Sequence, residues 1–566
     1  MRKLALLTVL VMMFGVLASA CMTSAPPAGN ADTNTAVAAD TAAPAATDAA
    51  AAENTDPMMK YDPPIELDFA RPYDTNSDNY QLLTSKFNET LDDNRWTRYF
   101  KDQFGIIIKN TFVAQGGDQY NQKFKLAMAS DGLPPYLNVA SISDLKDLVD
   151  AGKAVEIGPY YEKYASPLMK SITEAEGKNI FDFASFNAKI YGIPMKGTST
   201  DGYNHLWIRQ DWLDKLNLQR PKTMDDVLNI ARAFKDKDPD GNGQNDSLGM
   251  ELDKDYVWQS KGIFWAFGGY TNGPAQWLKA SDGTLVYANV QPEMKKGLAF
   301  IKQMYDEGLI DKEFATKTFD QSFEAAVNGK CGMFYGPHWN AWPIDNVVKN
   351  DPKAKWVVVP LPTENGDTAK IPMTVSYMNI AAATTKAQNP EALVRVCNVI
   401  VDKLFGPNPD GTFWADGGYE FWSLCPIYIL DTMVDLQSHI DIKNALANGT
   451  TDKLTGSAKL YYDFMQQGMY PWTLMFSTPD TPFDYVEATY PQQVIWNGFN
   501  SSPTETMAAR WTNMEELLST SYVKMITGDL DLDSGFDSMV QQWKAMGGDQ
   551  VTQEVNDVVK QNQANK

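Results

Sequence analysis

The sequence predicts an α/β fold divided between two lobes. Three features of the 566 residues carry this expectation. Short apolar strands alternate with amphipathic helices from about Tyr61, which implies right-handed βαβ units and a parallel sheet covered on both faces. Two extended stretches, "YGIPMKGTSTDGYNHLWIR" and "IPMTVSYMNIAAATT", suit a chain crossing between lobes. The length exceeds what one hydrophobic core commonly serves.

The elements follow in order. "DNRWTRYFKDQFG" reads as a helix from about Asn94, closed near Gly105, and "IIIKNTFVA" as the strand after it. "GDQYNQKFKLAMASDG" is a second helix, with Phe124, Leu126 and Met128 assigned to its buried side. "PPYLNVA" is a short strand, and "SISDLKDLVDAG" places a Ser cap and a Gly stop around a short helix. Beyond the second crossing, "KAQNPEALVRVCNVIV" is a helix with Pro390 in its first turn. The tail, "SSPTETMAARWTNMEELLSTSYVKMITGD" and "FDSMVQQWKAMGGDQVTQEVNDVVK", is helical.

The N-terminus reads as an export signal. "MRK" is a basic start, "LALLTVLVMMFGVL" an apolar core too short to span a membrane, and "ASAC" sets small residues before Cys21. This pattern resembles a bacterial lipobox, which implies that Cys21 is lipidated and becomes the mature N-terminus. From Met22 to about Asp56 the chain is almost entirely Ala, Thr, Pro, Asp, Asn and Ser, the composition of a disordered tether. The expected plan is a signal peptide over 1–20 and a lipid-anchored linker over 21–60. Lobe 1 takes 61–200 plus 375–420, and lobe 2 takes 201–374 plus 421–566. The protein would sit on the extracellular face of the cell membrane, held by lipid alone. Cys331, Cys397 and Cys425 remain, an odd number without metal spacing, and read as small buried hydrophobes, with one disulfide left open as the alternative. A net charge of −22 and a pI near 4.6 argue against nucleic acid as a partner.

One polar stretch invites a sharper reading. "KDKDPDGNGQND" follows a helix whose N-cap is Thr223, with Asp226 reciprocating, and whose apolar face is Met224, Val227, Leu228, Ala231 and Phe234. Asp238, Asp240, Asn242, Gln244 and Asp246 then occupy positions one, three, five, seven and nine of an EF-hand-type loop, with Gly243 at the sixth. Alternate oxygens on a turning loop can surround calcium, Gln244 giving its backbone carbonyl. Gly249 stands at position twelve, where a bidentate Glu is usual, so Glu251 or water is expected to complete the shell. Such a calcium ion would be structural. The bland alternative is an Asx-rich turn without an ion.

Five segments together resemble the family 1 extracellular solute-binding proteins, receptors of ABC importers for oligosaccharides, and within them the long lipoproteins common in Gram-positive bacteria. They are "KLAMASDGLPPYL", "LWIRQDWLDKLNLQRPKTMDDVLNIARAFKDKDPDGNG", "GMFYGPHWNAWPIDN", "SSPTETMAARWTNMEELL" and "FDSMVQQWKAMGGDQVTQEVN". The resemblance implies a two-lobed, type II periplasmic-binding-protein-like fold joined by two or three hinge strands. It implies a ligand in the cleft, permease subunits as partners, a monomer, and no catalysis. "YGPHWNAWPID" is similar to the maltodextrin-binding segment that supplies a sugar-stacking ring, although His338 interrupts the pattern. In alginate-binding relatives a Glu just after position nine contacts the ion; Ser247 stands there in this chain.

Enzyme and receptor readings are separated by what the chain lacks and what it has in excess. Three histidines, with no HExxH and no GxSxG, give little support to a hydrolase. A carbohydrate-active enzyme, lyase or glycoside hydrolase, stays open as the alternative, because paired carboxylates cannot be placed from sequence. Fifteen Trp and 25 Tyr favour a receptor, since flat rings cover the CH faces of pyranoses. Trp339 and Trp342, after a Gly-Pro break, are the leading ligand contacts, followed by Trp258, Tyr377 and Trp96. Trp212, Trp511 and Trp543 lie on amphipathic helices and are assigned to packing. "NPDGTFWADGGYEFW" matches no pattern.

Overall fold

Local chemistry sets the first elements where the sequence places them. In the computed structural model, which describes residues 54–175, 180–273, 276–416, 419–477 and 479–564, Asn94 caps the helix Arg95–Phe104. Asn94 Oδ1 accepts from the backbone N–H of Trp96 and Thr97, and Gly105 ends the helix at φ 64°. Ser141 caps Ile142–Asp150, and Thr223 with Asp226 closes a capping box on Met224–Asp236. The helix Asp118–Ala129 corrects one assignment. Phe124 is buried, but Leu126 is 72% exposed, because two residues further along a helix lie about 200° around it.

Five strands form the first sheet in the order Ile106–Ala114, Ile65–Pro72, Tyr136–Val139, Tyr377–Ala383, Gly192–Lys196. The first three are parallel, as the βαβ pattern predicts. Tyr377–Ala383 runs antiparallel to both its neighbours. The second sheet departs further from expectation. It is antiparallel, with His205–Arg209 between Met333–Gly336 and Trp356–Val359, and every residue of these strands is buried.

Two hydrophobic clusters result. One gathers side chains from Tyr61 to Met195, Val375 to Leu404 and Phe421 to Ile429. The other runs from Tyr203 to Met373 and from Leu436 to Val555, and includes Ala415. The first cluster continues past residue 420, where the sequence reading ended lobe 1. Arg71 explains why: its guanidinium, 4% exposed, donates to the carbonyls of Ser423, Leu424 and Cys425 and ties that segment beneath the parallel sheet.

Three crossings connect the clusters and lie side by side. They are Lys196 to His205, Met373 to Tyr377, and Ile429 to Leu436. Gly197 N–H donates to Ser376 O at 3.1 Å, and Leu430 N–H donates to Lys196 O at 2.9 Å.

Residues 1–20 and Cys21 lie outside the described residues. Residues 54–60, expected in the linker, are tied to the body: Arg395 donates to Asn54 O and Asp56 O, and Asn398 to Pro57 O. Cys331, Cys397 and Cys425 are free and buried. No described helix is long and apolar enough to cross a membrane.

Candidate functional site

A cavity of about 330 Å³ opens where the two clusters meet. Its walls come from five parts of the chain. The turn His338–Asn340 and the helix Ala341–Asn350 present His338, Trp339 and Trp342. After the Gly-Pro break, Pro337 turns the chain out of a fully buried strand, and Trp339 and Trp342 line the cavity. The segment after the helix Glu391–Phe405 gives Pro409, Gly411, Trp414, Glu420 and Trp422. Tyr428 stands just before the third crossing, which gives Leu430, Val434 and Asp435, and the helices Gly456–Gln466 and Tyr470–Phe476 give Tyr461 and Trp472. Asp201 enters from the first crossing.

The aromatic rings are set as plates. Trp414 and Trp422 stack at 5.8 Å and 24°, and Tyr428 tilts against Trp422 at 4.6 Å. Trp342, 41% exposed, meets Trp472 edge-on at 6.0 Å, and Trp339 stacks on Trp258 at 6.3 Å. Such surfaces offer area without much conformational entropy to lose. Gly411 approaches Leu460 so closely that a Cβ would come within 2.6 Å, so the Trp414 wall rests against the second cluster as well.

Of the five predicted ligand contacts, two line this cavity. Trp339 and Trp342 do, and Trp258 backs Trp339 from behind while keeping 41% exposure. Trp96 and Tyr377 do not. Trp96 is fully buried between Phe100 and Phe413 in the first core, because it occupies the apolar face of its helix. Tyr377 begins a sheet strand and turns its ring onto Phe183 at 4.6 Å. Trp212 and Trp543 are buried, and Trp511 packs against Trp277 and Tyr287 of the same cluster, as assigned. Sequence reasoning missed Trp414, Trp422, Tyr428, Tyr461, Trp472, Asp201, Asp435 and Glu420. The signal for the first two was present: rings crowded among Gly and Asp without helical or strand period.

The polar floor of the cavity is acidic. One ligand-capable atom each from Asp201, His338 and Asp435 lies within 4.8 Å of the others. Asp201 Oδ1 is 3.6 Å from His338 Nε2, and the Tyr461 hydroxyl donates to Asp435 Oδ1 at 2.8 Å. Desolvation pushes the Asp201 carboxyl up to about 6, even though solvent entering the cavity reaches 43% of its side chain. Desolvation likewise raises Asp435, and it lowers His338, so the imidazole is held neutral at neutral pH.

The polar loop forms a second candidate site, distant in sequence from the cavity residues. Asp238 caps its turn: Oδ1 accepts from Gly241 and Asn242 N–H, both at 2.9 Å, and Oδ2 from Gly243 at 3.0 Å. Gly243 takes φ 85°, a left-handed conformation suited to glycine. Asn242 donates to Asp240 Oδ2 at 2.8 Å and Asp246 Oδ1 at 3.1 Å. The Lys330 ammonium lies 3.2 Å from Asp240 and 2.7 Å from Asp246, brought there by the Leu248 N–H bond to Lys330 O. Two carboxylates thus converge on a point that already attracts positive charge, and this donor set suits a hard cation. Gly249 cannot carry a twelfth-position carboxylate, since a Cβ would sit 2.8 Å from the Ala231 carbonyl. Glu251 is no substitute. It is 2% exposed, accepts from Ser322 Oγ, and is pushed up to about 8 by burial and by Asp253, so it is protonated at neutral pH.

Comparison with known proteins accords with this geometry. The sequence profile described as bacterial extracellular solute-binding protein matches residues 86–396, more than half of the chain. Lipoprotein LipO of Bacillus subtilis (strain 168) is 25% identical over 489 residues, spanning 80% of this chain and 86% of the relative. The polygalacturonan/rhamnogalacturonan-binding protein YtcQ of the same organism is 25% identical over 453 residues, spanning 78% and 83%. Among solved structures, the Streptococcus pneumoniae substrate-binding protein FusA, an EF-hand mutant in complex with fructo-nystose, has a TM-score of 0.60 at 18% identity. That match covers 89% of this chain and 100% of FusA. The alginate-binding protein AlgQ2 without calcium ion gives a TM-score of 0.60 at 16% identity, over 89% and 99%. The shared fold is the type II periplasmic-binding architecture. The chain belongs to the bacterial extracellular solute-binding proteins, a family of binding proteins and not of enzymes.

Proposed function

We propose that this protein is a receptor that captures an oligosaccharide between its two lobes and delivers it to an ABC importer. One observation carries the reading: a cavity at the meeting of the two cores, walled by Trp339, Trp342, Trp414, Trp422 and Trp472, with carboxylates at its floor. Rings cover the apolar faces of pyranoses, and carboxylates accept from their hydroxyls. The names of YtcQ and FusA point the same way. Lobe 1 comprises 61–200 with 375–429, and lobe 2 comprises 201–374 with 436–564. The three crossings act as hinges, and a ligand touching both walls favours the closed state because its contacts are complete only there. Calorimetric titration of the purified protein with a panel of oligosaccharides tests this. Saturable binding, without turnover of the sugar, is the expected result; hydrolysis or elimination would return the enzyme alternative.

The remaining parts of the reading concern placement. Cys21 carries a lipid that holds the monomeric receptor at the outer face of the membrane, beside the permease subunits. The loop holds a structural calcium ion through Asp238, Asp240, Asn242, Asp246 and the Gln244 carbonyl, with Lys330 displaced on binding. The convergence of Asp240 and Asp246 supports this, as does the EF-hand named for FusA.

A further inference from the structure

The charge of the cavity bears on which oligosaccharides can enter it. Among the described residues lining it, the acidic side chains are Asp201, Asp435 and Glu420, and none is Lys or Arg. Among those described lining residues the one nitrogen base is His338, and burial lowers its pKa. Cations on or against the wall-bearing segments are held by partners outside the cavity lining. Lys196 donates to the carbonyls of Ile172 and Ala175. Lys403 pairs with Asp410 at 3.0 Å, and Arg95 with Glu89 at 3.6 Å. Lys261 donates to Asn272 Oδ1 and lies over the rings of Trp258 and Trp265. Recognition of a sugar carboxylate normally uses an Arg fork or a Lys point charge. Here an incoming carboxylate would instead face Asp201 and Asp435 in a partly desolvated pocket, where like charges repel strongly.

Resting on the receptor reading above, we propose that the ligand is an uncharged oligosaccharide and that the Asp201–Asp435 floor excludes uronate sugars. The two carboxylates serve as acceptors for ring hydroxyls, and the Trp414–Trp422 stack and the Trp342 ring take the apolar faces. The two carboxylates bind a hydroxyl, which has a proton to donate, and offer nothing to a carboxylate that has none. Selectivity thus comes from an unfavourable juxtaposition as much as from fit. In this respect the chain would differ from YtcQ, whose name states polygalacturonan and rhamnogalacturonan binding.

The test is a set of matched titrations on the purified full chain. Each probe pair is a neutral trisaccharide and its C6-oxidised uronate, in several α and β linkages, with calcium and with chelator. We expect a neutral member to bind and its uronate to bind at least ~100-fold more weakly. Uronate binding should improve as salt rises, because screening weakens repulsion. Asp201→Asn with Asp435→Asn should narrow the gap at least ~10-fold, with folding checked by the melting curve; the salt series on the unaltered protein stands independently if that variant fails to fold. Uronate binding equal to or tighter than its neutral partner, or weakening with salt, overturns the proposal while leaving the receptor reading intact. Uronate binding that needs added divalent cation also overturns it, since Asp201, His338 and Asp435 would then be bridging a metal. Binding of no saccharide overturns the receptor reading and this inference with it.

Discussion

Replacing Trp342 by Ala should weaken oligosaccharide binding while leaving the fold nearly intact. Trp342 lines the cavity and is 41% exposed, so of a tryptophan surface of roughly 250 Å² about 100 Å² is accessible for a ligand to cover in part. A pyranose covering half to all of that area removes about 50–100 Å² of apolar surface from water, worth about 1–2.5 kcal/mol at 25 cal/mol/Å². The dissociation constant should therefore rise about 6- to 70-fold. The fold loses one edge-on contact with Trp472, about 1 kcal/mol, which moves the melting temperature by no more than a few degrees. Trp96→Ala is the control. That ring is fully buried in the first core, and its removal should take about 3–5 kcal/mol from stability. Calorimetry with the tightest oligosaccharide of the panel, beside a thermal melt, separates the two. Undiminished affinity in Trp342→Ala, or a melting temperature as depressed as that of Trp96→Ala, would refute the stacking assignment.

Three further outcomes follow from particular groups. The Glu251 carboxyl is raised from 4.5 to about 8, so the stability it contributes is full below pH 4.5 and is lost as pH rises through 8, up to about 5 kcal/mol over that window. Glu251→Gln should melt like the parent near pH 4.5 and progressively higher than it toward pH 8.5; a difference constant with pH would contradict this. Calcium at a hundred times its dissociation constant should stabilise the folded body by about 2.7 kcal/mol, and Asp240→Ala or Asp246→Ala should abolish that increment. Coincident melting curves with chelator and with calcium would rule the loop out as a metal site. Cys21→Ala should shift the protein from the membrane fraction to the medium, and unchanged retention would refute lipidation.

Much of this chain was legible because its physics is local. Asn94, Ser141 and Thr223 cap helices through bonds to backbone groups two or three residues away, so their roles are written in adjacent letters. The polar loop is legible for the same reason: alternate oxygens and a glycine within nine residues define its curl. Trp339 and Trp342 could be placed from the Gly-Pro break before them. Leu126 and Trp96 mark where this kind of reading ends, since composition alone does not say which way round a helix a side chain points.

The binding site belongs to the tertiary structure. Asp201, Trp339, Trp414, Asp435 and Trp472 become neighbours because three crossings bring two separate cores edge to edge, and no local period records that meeting. The raised carboxyl of Asp201 is of the same kind, for desolvation depends on what surrounds a group and not on its chain neighbours. Position twelve of the loop shows both at once. The sequence by itself determined that Gly249 carries no carboxylate, and only the packing of the loop exit against the Ala231 carbonyl decided that no side chain could stand there.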